Sequence, residues 1–309
     1  EGEIFIGCAG GVDTLAKLPF DKEETPAGAY FRIYVKGLKG GHSGDDINKG
    51  LGCANKLLNR ILWAADKEMD MRLATFDGGN LRNAIAREAY ADVVVMEQEA
   101  EDLKALVERY ASELKYEFRT TEPAMQVGIE PIAKPEFVVD MLSQDNLLNV
   151  LYACPHGVLA MSREIPGFVE TSTNLASVKM QEDHFFITTS QRSSLESAKD
   201  AAASRVESCF LLAGADVEHT DGYPGWSPNT DSYVLKVAVD SYKRLFGKEP
   251  IVRAIHAGLE CGLIGEKYQG MDMISYGPTL RGVHSPEERL EIATVELFWR
   301  HTLDILKNI

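Results

Sequence analysis

Two histidines sit where chain stiffness could hold an imidazole for chemistry. His284 lies in the turn Gly277-Pro-Thr-Leu-Arg-Gly-Val-His-Ser-Pro-Glu-Glu288, beside Ser285, Glu287 and Glu288. A neutral imidazole on a stiff turn is a good zinc or iron ligand, and a loop histidine is also a common solvated surface residue. His42 lies in Gly40-Gly-His-Ser-Gly44. Its flanking glycines allow a sharp turn that leaves the ring accessible to donate to a substrate oxygen, or the ring has only a turn role. Asn80 and Asn83 occupy a strand-to-strand turn. Asparagine is favoured there for conformational reasons, yet a carboxamide at such a tip can orient a peptide group. Arg192 ends a strand pattern in Thr188-Thr-Ser-Gln-Arg-Ser-Ser194. Facing a cleft, its planar fork suits a carboxylate; otherwise it is a surface arginine. His256-Ala-Gly-Leu-Glu-Cys-Gly262 opens a short helix whose first N–H groups favour an anion or a carbonyl oxygen. A cap and tight packing explain its glycines equally well.

The elements that must position these residues follow from hydrophobic spacing. Residues 4–6 and 30–35 read as strands, and 51–65 carries apolar residues at helical spacing. Strands at 72–76 and 89–96, a helix at 99–118 and a strand at 124–129 complete a strand-helix-strand-strand-helix-strand order, the split, ferredoxin-like pattern. The order recurs with a helix at 135–152, strands at 175–181 and 184–189, a helix at 195–214 and a strand at 216–219, which suggests a duplication. After the punctuation Asp221-Gly-Tyr-Pro-Gly-Trp-Ser-Pro228 come a helix at 233–246, a strand at 251–255, a short helix, a buried strand at 271–276 and a last helix from about 292. Alternating strands and helices predict a parallel, doubly wound sheet. The expected fold class is therefore α/β: a partial doubly wound domain (1–26 and 221–309) interrupted by an α+β insertion of two ferredoxin-like units (27–220).

The composition of the 309 residues narrows the function. Apolar content of 45% and charged content of 26% are those of a globular chain. A net charge of −15 argues against nucleic acid as a partner. No apolar run approaches the roughly 20 residues that span a bilayer. The five cysteines are widely spaced, with no Cys-x-x-Cys, and read as reduced thiols of a cytoplasmic protein. His-Glu-x-x-His, nucleophile-elbow, Walker and dinucleotide signatures are absent from the sequence. His156, His184, His219 and His301 have no site-like spacing and are expected to be structural. The sequence enters a strand at once without an initiator Met, so it reads as the middle of a longer protein.

Four motifs occur together and in order: Gly-Gly-His-Ser-Gly, Leu-Arg-Asn-Ala-Ile-Ala-Arg-Glu-Ala, His-Ala-Gly-Leu-Glu-Cys-Gly, and Gly-Pro-Thr-x-x-Gly-x-His-Ser-Pro-x-Glu. With the opening Glu-Gly-Glu-Ile-Phe-Ile-Gly-Cys-Ala-Gly-Gly and Tyr-Pro-Gly-Trp at 223–226, this set resembles the aminoacyl-histidine dipeptidases (Xaa-His dipeptidases, bacterial carnosinases) of the di-zinc aminoacylase-like metallopeptidases. The resemblance implies a zinc-dependent catalytic domain interrupted by a lid. It implies that His284 is a zinc ligand and that His42 is the lid histidine polarising the scissile carbonyl. It further implies that Asn83 helps hold substrate, Arg192 binds its carboxylate and Gly258 lines the pocket. The implied partner is a small dipeptide such as Xaa-His, and a homodimer is compatible because lids of this superfamily pair between subunits.

The other metal ligands and the general-base glutamate of that family lie upstream of the position matched by Glu1. Two zinc ions are expected in a full-length enzyme and one or none here, since one histidine cannot hold a bridged pair. The chain as it stands is accordingly expected to be inactive. A related aminoacylase or amidohydrolase is an alternative within enzymes; a non-catalytic association module is the alternative outside them.

Overall fold

The computed structural model describes residues 1–281 and 288–309; the expected ligand His284 lies outside the described residues. The first half of the chain forms β1 (Glu3–Cys8), β2 (Gly10–Pro19), β3 (Lys22–Glu24), β4 (Ala29–Lys36), β5 (Gly41–His42), α1 (Ala54–Glu68), β6 (Arg72–Gly78), β7 (Ala84–Ile85), β8 (Ala89–Val95), α2 (Ala100–Glu117), β9 (Gln126–Pro131), β10 (Phe137–Val139) and α3 (Met141–Ala153). The second half forms β11 (Gly157–Met161), β12 (Val169–Met180), β13 (His184–Ser193), α4 (Glu196–Leu212), β14 (Asp216–His219), α5 (Tyr233–Phe246), β15 (Ile251–Ile255), α6 (Glu260–Lys267), β16 (Leu280–Arg281), β17 (Arg289–Leu290) and α7 (Ala293–Asn308).

Among the described residues, one nine-stranded sheet runs β14-β2-β13-β12-β6-β8-β4-β9, with β11 on β12. It is two ferredoxin-like units set edge to edge. The unit β4-α1-β6-β8-α2-β9 has spatial order β6-β8-β4-β9, and the unit β2-α3-β12-β13-α4-β14 repeats that order as β12-β13-β2-β14. The duplication expected from element order is therefore present, with one correction. The second unit takes its first strand from residues 10–19, so the first unit is inserted between the second unit's opening strand and its helix. The sequence pattern places 10–19 in the other domain and shows no strand there. In fact β2 pairs with β13 from Gly10↔Ser193 to Pro19↔His184. Its inward positions Thr14, Ala16 and Leu18 alternate as a strand should, but Thr14 is polar. That hydroxyl is buried because it donates to Gln191 at 2.7 Å.

Helices cover one face of this sheet. Leu57, Leu58, Ile61, Leu62 and Ala65 recur on one side of α1 and are buried in the main core with Phe76, Phe185 and Phe210, each large side chain contributing roughly 1.5–3 kcal/mol. At the seam, β12 meets β6 through only Val178↔Gly78 and Lys179↔Asp77. Side chains reinforce the joint: Asn55 of α1 donates to the Leu175 carbonyl at 3.3 Å. Gly79 holds φ +62, and a Cβ there would lie 1.9 Å from the Ala176 carbonyl oxygen.

A smaller unit stands beside the sheet. β1 and β15 pair in parallel, with Ile4 opposite Val252, as expected of an α/β element. Ile4 and Ile6 pack with Leu235, Ala238 and Ile305 of α5 and α7. Two local readings are corrected. Residues 137–139 pair with β3 before α3 begins, because Asp140 caps that helix through Ser143 N–H at 2.9 Å. Residues 271–276 form no strand: their backbone pairs with β1 at the isolated bridge Phe5↔Ser275, Ile274 and Tyr276 pack against the cluster of Ile4 and Ile6, and Met271 is exposed. Among the described residues no helix is long and apolar enough to cross a membrane.

Gln144 of α3 is fully buried; its carbonyl accepts from Leu73 N–H and its amide donates to the Met71 carbonyl and Asp66. Gln144→Leu strands both backbone groups, so urea unfolding should show a loss of about 2–4 kcal/mol.

Candidate functional site

The site is assembled where the second unit, the tip of the first and the small unit meet. β13 carries Arg192 between Ser172 of β12 and Gly11 of β2. The side chain is 7% exposed. Its Nε donates to Ser43 Oγ at 3.2 Å and its Nη1 to Tyr223 Oη at 2.6 Å. Among the described residues Nη2 has no protein acceptor, and no carboxylate lies within ion-pair range of this guanidinium. A cation kept from water with only neutral partners is an unfinished electrostatic arrangement. It faces a cleft of about 420 Å³ lined also by Asn83, Arg82, Asp13, Gly11 and Tyr223. Arg82 closes part of that cleft by pairing with Asp13 at 3.0 Å.

His42 and Asn83 arrive from the first unit on a short ribbon. β5 and β7 pair as Gly41↔Ile85 and His42↔Ala84, and Ser43 N–H donates to the Asn83 carbonyl at 2.9 Å. Asn174 of β12 holds the ribbon to the sheet through the Ala84 carbonyl at 2.8 Å. The His42 ring is oriented by its own loop: Nδ1 accepts from the amides of Gly44 and Asp45, each at 3.2 Å. That leaves the proton of the neutral ring on Nε2, a donor. Asp46 accepts from His42 N–H at 2.6 Å and pairs with Lys49. Burial works to raise Asp46, but these contacts override it and hold the carboxyl below its ordinary value.

Gly258 comes from the small unit, in the loop between β15 and α6. A Cβ there would lie 2.9 Å from the Tyr223 ring, and one on Gly11 would lie 2.7 Å from the same hydroxyl. Tyr223 is thus clamped between two glycines, and its backbone pairs with Gly11 in both directions. Four expected residues therefore converge: Gly258 touches Tyr223, Tyr223 and Ser43 hold Arg192, and Ser43 joins His42 to Asn83. Two participants carried no role from sequence. Tyr223 stood out only within Tyr-Pro-Gly-Trp, and His256 only as the first residue of its motif. His256 is 5% exposed, with Nε2 2.7 Å from Ser172 Oγ and Nδ1 buried without a hydrogen-bond partner among the described residues. Burial first, then Arg192 and His42, push it down to about 3. The expected structural histidines keep local bonds: His156 Nδ1 accepts from Leu175 N–H, and His301 Nε2 lies 2.9 Å from the Ala238 carbonyl.

A double ferredoxin-like sheet beside a smaller α/β unit, with a buried arginine on a cleft, is the fold of a peptidase. Comparison with known proteins agrees. Residues 28–122 match the family model described as a peptidase dimerisation domain. Over 100% of its length the chain is 43% identical to the cytosol non-specific dipeptidase of Escherichia coli (strain K12), covering 64% of that protein. The crystal structure of aminoacylhistidine dipeptidase from Vibrio alginolyticus superposes with a TM-score of 0.95 at 40% identity, over 100% of this chain and 63% of that one. The chain is thus similar along its whole length to these two dipeptidases, and it spans a little under two thirds of each.

One buried ring, His256, and one half-buried ring, His156, make stability acid-sensitive. Burial, with Lys56 adding, lowers His156 to about 4, and His256 stands at about 3, against 6.5 for a free imidazole. The unfolded chain takes up these protons first, so stability is full above 6.5 and is lost as pH falls toward 4. The slope should be up to ~1.4 kcal/mol per pH unit for each ring. Urea unfolding between pH 7 and 4.5 checks this, and His156→Gln should remove its share of the slope.

Proposed function

We propose that the chain forms the substrate-binding lid and part of the catalytic domain of a metal-dependent dipeptidase acting on Xaa-His and related dipeptides. The observation that carries the reading is Arg192, a buried cation lacking a carboxylate partner among the described residues and opening on a cleft. A dipeptide's C-terminal carboxylate supplies the missing charge, and the planar fork takes it bidentately or nearly so. Asn83, on the same cleft, holds the peptide group. His42, with its donor at Nε2, stabilises the oxyanion that develops at the scissile carbonyl. Gly258 lines the pocket because a side chain there would collide with Tyr223.

The described residues do not themselves fit a metal pair, since no group of three or more His, Cys, Asp or Glu among them could hold an ion. His284 is proposed as one zinc ligand, and the 309 residues alone are expected to turn nothing over. Whole-length activity, a cytoplasmic location and a homodimer are parts of the same proposal. The E. coli relative named for the cytosol and the match to a dimerisation-domain model support them. In the domain layout proposed here, 1–9 and 221–309 form the catalytic part, while 10–19 joins the lid.

The test is hydrolysis by the protein extended to its relatives' length. β-Ala-His should be cleaved in preference to N-acetyl amino acids; the reverse preference would make it an aminoacylase, and no turnover of either would leave an association module. Arg192→Lys should raise KM about 10–100-fold with a smaller change in kcat, from loss of the bidentate fork. His42→Ala should lower kcat about 10²–10³-fold, as removal of an oxyanion donor does.

A further inference from the structure

We propose that His256 is a positioning residue of this dipeptidase site, the fastener that sets His42 and Arg192 in register with each other. The inference rests on the functional reading above and adds to it a residue that touches neither substrate nor reacting atoms.

The imidazole bridges two units. It stands on the loop that leaves β15 of the small unit, and its Nε2 meets Ser172 Oγ of β12 at 2.7 Å. Ser172 is itself the register partner of Arg192. The backbone of the same residue presses on the His42 loop, where a Cβ on Gly44 would lie 2.0 Å from the His256 carbonyl oxygen. Gly44 N–H is in turn one of the two donors that orient His42 Nδ1. Two residues further on, Gly258 abuts the tyrosine that holds Arg192. One short segment thus touches the support of both substrate-facing groups.

The chemistry of the ring fits positioning better than filling. Among the described residues Nδ1 is buried and makes no hydrogen bond of ordinary geometry, with the Val169 backbone its nearest polar neighbour in effect, a desolvation cost that an apolar side chain of similar size would avoid. Phe168 packs edge-on at 6.2 Å between centroids, shielding the ring from water. A charged imidazole would add a second cation beside Arg192. A ring kept neutral can bond Ser172 in either tautomer without that repulsion.

Two readouts test the proposal. In the protein of full relative length, His256→Leu should lower kcat for β-Ala-His about 30–100-fold while KM stays within about threefold: losing the ring's bond to Ser172 frees the segment whose backbone presses on the His42 loop, while Arg192 keeps its bonds to Ser43 and Tyr223. His256→Gln, which keeps an acceptor for Ser172, should stay within about fivefold of wild type in kcat. Ser172→Ala combined with His256→Leu should lose no more than His256→Leu alone. In the 309-residue chain, the His42 ring should give the ¹⁵N signature of a single Nε2–H tautomer. That signature should broaden in His256→Leu and persist in His256→Gln. An unchanged kcat and an unchanged His42 signal in a variant that merely unfolds at lower urea would overturn the inference and leave the dipeptidase reading standing. An intact wild-type protein that cleaves no dipeptide would sink the reading, and the His42 spectra would still decide whether His256 holds that ring.

Discussion

Burying the Arg192 guanidinium without a carboxylate obliges the surrounding chain to supply everything that holds it. The neutral oxygens of Ser43 and Tyr223 do so at 3.2 and 2.6 Å. A neighbouring Asp or Glu would have stabilised the fold more simply and would also have satisfied the charge, leaving nothing for an incoming anion. Ser43 must then be held by the ribbon of the first unit and Tyr223 by the strand segment beside β2. The demand for a neutral cradle is what brings three separate parts of the chain to one place.

That demand also explains the unusual connectivity. Gly10 and Gly11 open β2, so the chain crosses from the small unit into the large sheet at the point where Arg192 pairs with Gly11. The return segment 223–226 lies against the same residues, with Cys8 and Trp226 exchanging hydrogen bonds at 2.9 Å each way. A Cβ on Gly10 would stand 2.4 Å from the Gly225 amide nitrogen, and one on Gly262 would stand 2.5 Å from the Pro224 carbonyl oxygen. Backbone meets backbone where the two units join, so the geometry of the site is set by main-chain contact rather than by flexible side chains. Lys199 of α4 adds to this by donating to the Tyr223 carbonyl at 3.0 Å while paired with Glu196, which accepts from Gly225 N–H at 2.6 Å.

Sequence periodicity made α1, α2 and most sheet strands legible, because their burial alternates or recurs with the period of the element. It also located the turns of His42, Asn83 and Gly258 and the strand end at Arg192, since glycine-rich turns and the polar ends of strands stand out in one dimension. β2 was hidden because its buried face includes Thr14, whose inward position depends on Gln191, a residue 177 positions away. The same separation concealed the merged sheet: no local pattern says that the edge of one ferredoxin-like unit will pair with the edge of another over two residues. Tyr223 was readable only as part of a turn, for its partners Arg192, Gly11 and Gly258 come from three distant segments. His256 was seen and given no role, because an orphan ring nitrogen becomes visible only when burial is known.

The split of labour between the units has a physical consequence for the reaction proposed. The groups proposed to grip substrate, Arg192 and Asn83, belong to the units of the double sheet, whose core is large and whose strands are long. The segment that carries Gly258 belongs to a unit with a far smaller buried cluster, Ile4, Ile6, Leu235, Ala238 and Ile305. Fewer buried apolar contacts mean a lower free energy of local opening, so the two sides of the cleft differ in stiffness. In the proposed reaction, a dipeptide bound to the stiffer side would meet a softer wall that can yield as substrate enters and product leaves. The His256–Ser172 bond and the Gly44 contact are where that wall is tied back to the sheet, close to the groups whose spacing matters most.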